Sequence, residues 1–191
     1  MDRTVETLGR LRRFARMVEE LPAVDEVLQP LRAWLAATSA RYRIVGGVAV
    51  VHHGYARTTQ DVDVLVASDA WAALEREATR FGFTSSGARR FVHDTGVRVD
   101  VLVEGEPLPR GDAVYPSPDE LDQDGDVVGL VGLVRLKLTA RRHQDLADVV
   151  ALLKRLDEAE YLALVAQIPA LHRRSLWDLR RDALEERAME G

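Results

Sequence analysis

The chain has 191 residues, enough for one well-buried domain with a helical extension, and its 47% hydrophobic and 30% charged content is ordinary for a globular protein. It contains no cysteine, which excludes a disulfide framework, a thiol nucleophile and a thiolate metal site. The formal net charge of −5 argues against a whole-protein electrostatic grip on nucleic acid, although Arg and Lys cluster at 135–142 and at 173–181. The first twenty residues carry charges throughout and do not read as a signal peptide, and no run is apolar enough to span a bilayer. A soluble, cytoplasmic protein with no membrane partner is the expectation.

Residues 4–21 place Leu8, Leu11, Phe14, Ala15 and Val18 on one helical stripe, and Pro22 ends the helix. A second helix is predicted over 24–37, with Pro30 as a kink or break. A buried strand at 42–45 runs into Gly46-Gly47 and a short helix bearing His52 and His53, with His53 packing or capping near its end. Arg57-Thr58-Thr59 then leads into a strand that carries Asp61 and Asp63 on one side and Val62 and Val64 on the other. An amphipathic helix follows over 70–81, capped by Ser68 or Asp69. Residues 90–93 and 98–103 alternate as a hairpin that turns at 94–96. Residues 104–126 form a long irregular stretch, whose acidic part, 117–126, reads as a solvated loop. Helices are predicted over 130–142, 144–156, 159–168 and 170–189, and Trp71, Trp177, Phe81 and Phe83 read as core aromatics. The fold class is α+β, a small mixed sheet flanked by helices. Its organisation is N-terminal helices over 1–40, a core over 41–128 and a C-terminal helical region over 129–191.

Two carboxylates side by side repel unless a cation lies between them, and Mg²⁺, which prefers oxygen ligands and substrate phosphates, suits Asp61 and Asp63. The alternative is that Asp61 caps a turn over 58–60. Asp100 stands mid-strand and shares a face with Arg98 and Leu102. If its strand adjoins the Asp61/Asp63 strand, three acids can hold two Mg²⁺ ions; otherwise it is an edge acid facing water. Gly46 and Gly47 make a tight strand-to-helix turn whose N–H groups can also approach a phosphate. Arg57 is either a phosphate-binding guanidinium or a surface arginine. Lys137, between Leu136 and Leu138, is either a snorkelling lysine or a buried one with a task.

In order along the chain, Gly46, Gly47, Arg57, Thr58, Thr59, Asp61, Asp63 and Asp100 resemble the nucleotidyltransferase superfamily that includes DNA polymerase β and kanamycin nucleotidyltransferase. Within it, the pattern is similar to the AbiEii/AbiGii toxin-type branch, where a Lys, an Arg and an Asp-x-x-Asp recur after the core, here Lys137, Arg141 or Arg142, Asp145 and Asp148. The resemblance spans residues 43–153 and implies a nucleotidyltransferase fold. It also implies Mg²⁺-dependent transfer of a nucleoside monophosphate from an NTP to an acceptor hydroxyl. Asp61, Asp63 and Asp100 would bind metal, while Gly46, Gly47, Arg57 and Lys137 would hold phosphates. Asp145 and Asp148 would hold Lys137 or an arginine in place. Where the superfamily commonly has Gly-Ser this chain has Gly-Gly, so a phosphate hydrogen bond would fall to Thr58 or Thr59. The implied partners are an NTP, an acceptor RNA such as a tRNA end or a protein hydroxyl, and a cognate antitoxin. The rivals are transfer to an aminoglycoside- or lincosamide-like small molecule, with the acidic loop 119–126 forming a pocket for cations, and a silent nucleotide- or partner-binding module.

Overall fold

The computed structural model describes residues 3–15, 24–109 and 112–190. The first predicted helix is seen as α1 (Arg3–Ala15), with Leu8 buried, while the rest of the predicted segment and Pro22 lie outside the described residues. Helix α2 (Val24–Ala37) runs unbroken through Pro30. Its buried face of Val27, Leu28, Leu31, Trp34 and Leu35 holds it on the core and offsets the hydrogen bond that proline cannot donate.

Strand β1 (Tyr42–Val45) passes directly into α3 (Gly46–His52), and β2 (Asp61–Val66) returns antiparallel to β1, with Val45 opposite Asp63. After α4 (Trp71–Glu77) come β3 (Phe83–Gly87), β4 (Arg90–His93) and β5 (Arg98–Val103), then the short β6 (Gln123–Asp124) and β7 (Val127–Val128). The seven strands form one mixed sheet in the order β3-β4-β5-β2-β1-β7-β6, in which β5 runs parallel to β2 and β7 parallel to β1. Helices α5 (Leu130–Ala140), α6 (His143–Leu153), α7 (Glu158–Gln167) and α8 (Ala170–Glu190) complete an α+β fold. Among the described residues no helix is long and apolar enough to cross a membrane.

One core joins the sheet to the helices before it and takes in Leu133 of α5 and Leu152 of α6. Trp34 is its centre, stacked on Phe83 at 4.7 Å, edge-on to Phe91 at 4.9 Å, and donating its indole N–H to the Leu74 carbonyl at 2.9 Å. A second core lies among α5–α8 around Val134, Leu138, Leu164 and Leu176.

Several expectations are corrected. The predicted helix over 70–81 is α4 flanked by 3₁₀ turns at Ser68–Ala70 and Ala78–Phe81, and neither Ser68 nor Asp69 caps it with its side chain. Asp69 instead pairs with Arg41 at 3.6 Å. Strand β3 has no counterpart in the sequence reading, because after Phe83 its Thr84, Ser85, Ser86 and Gly87 are exposed and lack apolar alternation. Trp177 is 60% exposed on α8 and touches Tyr161 only edge-on at 6.3 Å, so it is not a core residue. The acidic stretch is largely exposed, as expected, but its acids are also engaged: Asp126 binds Arg32 (2.6 Å), Asp119 binds Arg41 (2.5 Å), and Asp124 meets His52 Nε2 (2.8 Å). Asp122 accepts the Gly132 and Val131 N–H groups (2.6 and 3.2 Å) at the start of α5. His53 does close the end of α3, its Nε2 lying 2.8 Å from the Val128 carbonyl.

Candidate active site

The alternation of β2 and β5 decides which side chains meet. Their parallel register sets Asp61 opposite Arg98 and Asp63 opposite Asp100, so all four lie on one face, and Val62, Val64, Val99 and Val101 bury the other. The antiparallel β4 adds Arg90 opposite Asp100. This face is the floor of a cleft of about 670 Å³ that α5 and α6 wall on one side. All nine residues singled out as site candidates line it: Gly46, Gly47, Arg57, Thr58, Thr59, Asp61, Asp63, Asp100 and Lys137.

Gly46 sits at φ +62°, and a β-carbon there would overlap the Asp63 carboxylate. Only glycine satisfies both the left-handed backbone and the carboxylate packed against it. At Gly47 a β-carbon would overlap Thr59 Oγ1 and lie 3.1 Å from an Arg57 nitrogen. The space beside Gly47 is thus filled by the 57–59 segment, and the Thr59 hydroxyl donates to the Asp61 carbonyl at 3.2 Å.

Charge on the floor is unevenly compensated. Arg98 donates to Asp61 Oδ2 and its Nε lies 3.5 Å from Asp100 Oδ2. Arg90 Nε donates to Asp100 Oδ1 at 2.6 Å. Asp63 has no ion-pair partner among the described residues, and its pKa rises to about 6, chiefly through burial and then through the Asp61 and Asp100 charges. As the side chains lie, no group of three or more His, Cys, Asp or Glu among the described residues is arranged to hold an ion. The two arginines hold Asp61 and Asp100 instead.

The raised pKa makes a pH-dependent cost. The native carboxyl keeps its proton better than the unfolded one, so this group removes stability as pH climbs from about 4 to about 6. Below that window both states are protonated and the effect vanishes; above it the full cost stands, at most roughly 3 kcal/mol. Asp63→Asn is therefore expected to melt above the wild type at pH 7.5 in EDTA and level with it at about pH 3. Equal differences at the two pH values would show that Asp63 is not held in this way.

The wall of the cleft is a buried charge network. Asp148, wholly buried on α6, binds Arg57 (Nε to Oδ1 2.8 Å, Nη2 to Oδ2 3.0 Å), Lys137 Nζ (2.7 Å) and Gln144 Nε2 (3.1 Å). Lys137, itself buried, also donates to Asp145 Oδ1 at 3.2 Å. The snorkelling alternative for Lys137 and the surface alternative for Arg57 therefore fall, and Asp145 and Asp148 hold both cations. Asp145 Oδ2 also accepts the Arg142 N–H at 3.2 Å and so caps α6. Because α5 ends at Ala140 and Arg141 turns left-handed (φ 51°), Arg142 rather than Arg141 reaches the cleft.

Arg89, Arg90 and Tyr115 also line the cleft, beyond the residues expected from the sequence. Arg90 was within reach, since positions 90 and 100 are equidistant from Thr95 at the hairpin turn. Arg89 gave no signal: it is left-handed (φ 60°), lies over the Trp71 ring at 3.9 Å and binds Glu106 at 2.9 Å through Nε. No protein-family model matches the chain, and no curated protein matches it significantly.

Proposed function

We propose that this cleft transfers a nucleoside monophosphate from an NTP to an acceptor hydroxyl, within a nucleotidyltransferase fold of the AbiEii-like kind. The observation that carries the reading is the convergence of Asp61, Asp63 and Asp100 on one floor, across two strands in register, with Gly46 cleared for Asp63. An all-oxygen carboxylate set suits Mg²⁺ and offers nothing to a softer metal. Asp61, Asp63 and Asp100 would hold it, once Arg98 and Arg90 give way. When bound, Mg²⁺ would neutralise triphosphate charge and acidify the acceptor hydroxyl.

The chain's own groups would do the rest. Arg98, Arg90 and Arg142 offer guanidinium forks to phosphate oxygens, while Arg57 and Lys137 form a rigid wall in which Asp148 and Asp145 orient both cations and offset their charge. The acceptor oxygen would bond to the α-phosphorus as the bond to the β-phosphate oxygen breaks and pyrophosphate leaves. Asp100 would receive the hydroxyl proton. Catalysis would be positioning and charge neutralisation.

The resemblance supports an RNA or protein-hydroxyl acceptor, and a toxin held by a cognate antitoxin in the cytoplasm. A cationic small-molecule acceptor loses its basis, since none of the acids of 119–126 lines the cleft, and Asp119, Asp122, Asp124 and Asp126 are engaged elsewhere. The silent-module reading is favoured by one observation, that arginines occupy two of the three acids. Incubation with each labelled NTP, Mg²⁺ and total RNA separates the two. Mg²⁺-dependent covalent label on RNA is the expected result, and NTP binding without label on any acceptor would leave the silent module.

A further inference from the structure

Resting on that reading, we propose that Arg98 is a resident counter-ion of the acid site, which releases Asp61 when a divalent cation enters and then turns to the nucleotide's phosphates. The register leaves Arg98 no other direction. It lies opposite Asp61 on the neighbouring strand and two residues before Asp100, so its side chain must emerge on the acid face. There it touches both carboxylates, through Nη2 to Asp61 and Nε to Asp100. With Arg90 on the far oxygen of Asp100, Asp63 is the floor acid that has no ion-pair partner among the described residues, with Lys137 and Arg142 acting on it only from a distance.

A divalent cation bound by Asp61, Asp63 and Asp100 competes with Arg98 for the Asp61 carboxylate, because two positive charges brought to one carboxylate repel. The cation's arrival therefore weakens the hold of Asp61 on Arg98. Its side chain is 45% exposed, so it is free to swing along the open cleft, where a triphosphate presents new anionic oxygens in fork geometry. The proposal's consequence is positive coupling. Cation alone binds against Arg98, and polyphosphate gives the displaced guanidinium a partner.

Arg98 is thus a positioning residue whose effect is read without turnover. The test is Mn²⁺ binding to the nucleotide-free full chain, followed by the loss of the free-ion electron paramagnetic resonance signal. Arg98→Gln is expected to bind Mn²⁺ roughly tenfold more tightly than the wild type, with Arg98→Lys between them. At saturating Mn²⁺, inorganic triphosphate binding should weaken by a similar factor in Arg98→Gln. The gain in Mn²⁺ affinity should disappear in Arg98→Gln/Asp63→Asn. If Arg98→Gln binds Mn²⁺ no better than the wild type while Asp63-dependent Mn²⁺ binding is present with NTP, the counter-ion role is overturned and nucleotidyl transfer stands. If no variant shows Asp63-dependent Mn²⁺ binding, even with NTP, both fall. Should Arg98→Gln fail to fold by circular dichroism, Arg98→Lys decides alone, and wild-type Mn²⁺ affinity in it overturns the proposal.

Discussion

Asp63→Asn is expected to lower Mg²⁺-dependent nucleotide transfer on the order of 10³-fold or more while leaving the circular dichroism spectrum unchanged. The amide keeps the shape that Gly46 accommodates, so packing at the floor survives, but one oxygen ligand and one negative charge are lost. Asp61→Asn should act in the same direction, with an added release of Arg98. The contrast between activity and stability is what distinguishes this site from a structural one. A structural carboxylate loses stability on neutralisation, whereas Asp63, flanked by Asp61 and Asp100 without a cation of its own, should gain it. Turnover by Asp63→Asn at the wild-type rate would remove the carboxylate floor from the chemistry altogether.

The second large effect is on folding. Asp148→Ala should cost about 3–5 kcal/mol, because it strands the Arg57 and Lys137 charges in a buried wall. For a chain of this size that lowers the melting temperature on the order of 10 °C. Lys137→Ala should cost less, since Asp148 retains Arg57 and Gln144, yet it should slow transfer strongly if the wall's charge faces the triphosphate. A change of matched shape at all three positions, Arg57→Met/Lys137→Met/Asp148→Leu, should recover much of the stability and none of the activity. Thermal melts of Asp148→Ala within a degree of the wild type would show that the network is solvated.

Periodicity made most of the fold legible. β1, β4 and β5 fall at their predicted bounds, and α3 and β2 appear where a short helix and a strand were expected, because Val and Ile alternate or cluster there and glycines mark the turns. The convergence of Asp61, Asp63 and Asp100 was also legible, since a mid-strand carboxylate has only two faces to choose from. What could not be read was the partnering. Whether Arg98 meets Asp61 depends on parallel register between strands more than thirty residues apart, and no local pattern encodes that. The roles of Asp119, Asp122, Asp124 and Asp126 were hidden for the same reason: each acid binds a group far away in sequence or at a helix start, while composition alone suggests water. Trp177 shows the reverse failure, an apolar residue taken for core on a helix whose buried side lies elsewhere.

The margins of the sheet bear on how the protein behaves at high concentration. At one margin, β3 presents exposed Thr84, Ser85 and Ser86, then a register shift before Gly87; at the other, β6 has two exposed polar residues. A strand arriving from a second molecule would find at the first margin hydroxyls in place of apolar side chains and a broken ladder, and at the second too few backbone groups to grip. Apolar side chains at 84 and 85 would remove the hydroxyls from the longer margin, so Thr84→Val/Ser85→Val should self-associate at lower concentration than the wild type, as read by light scattering.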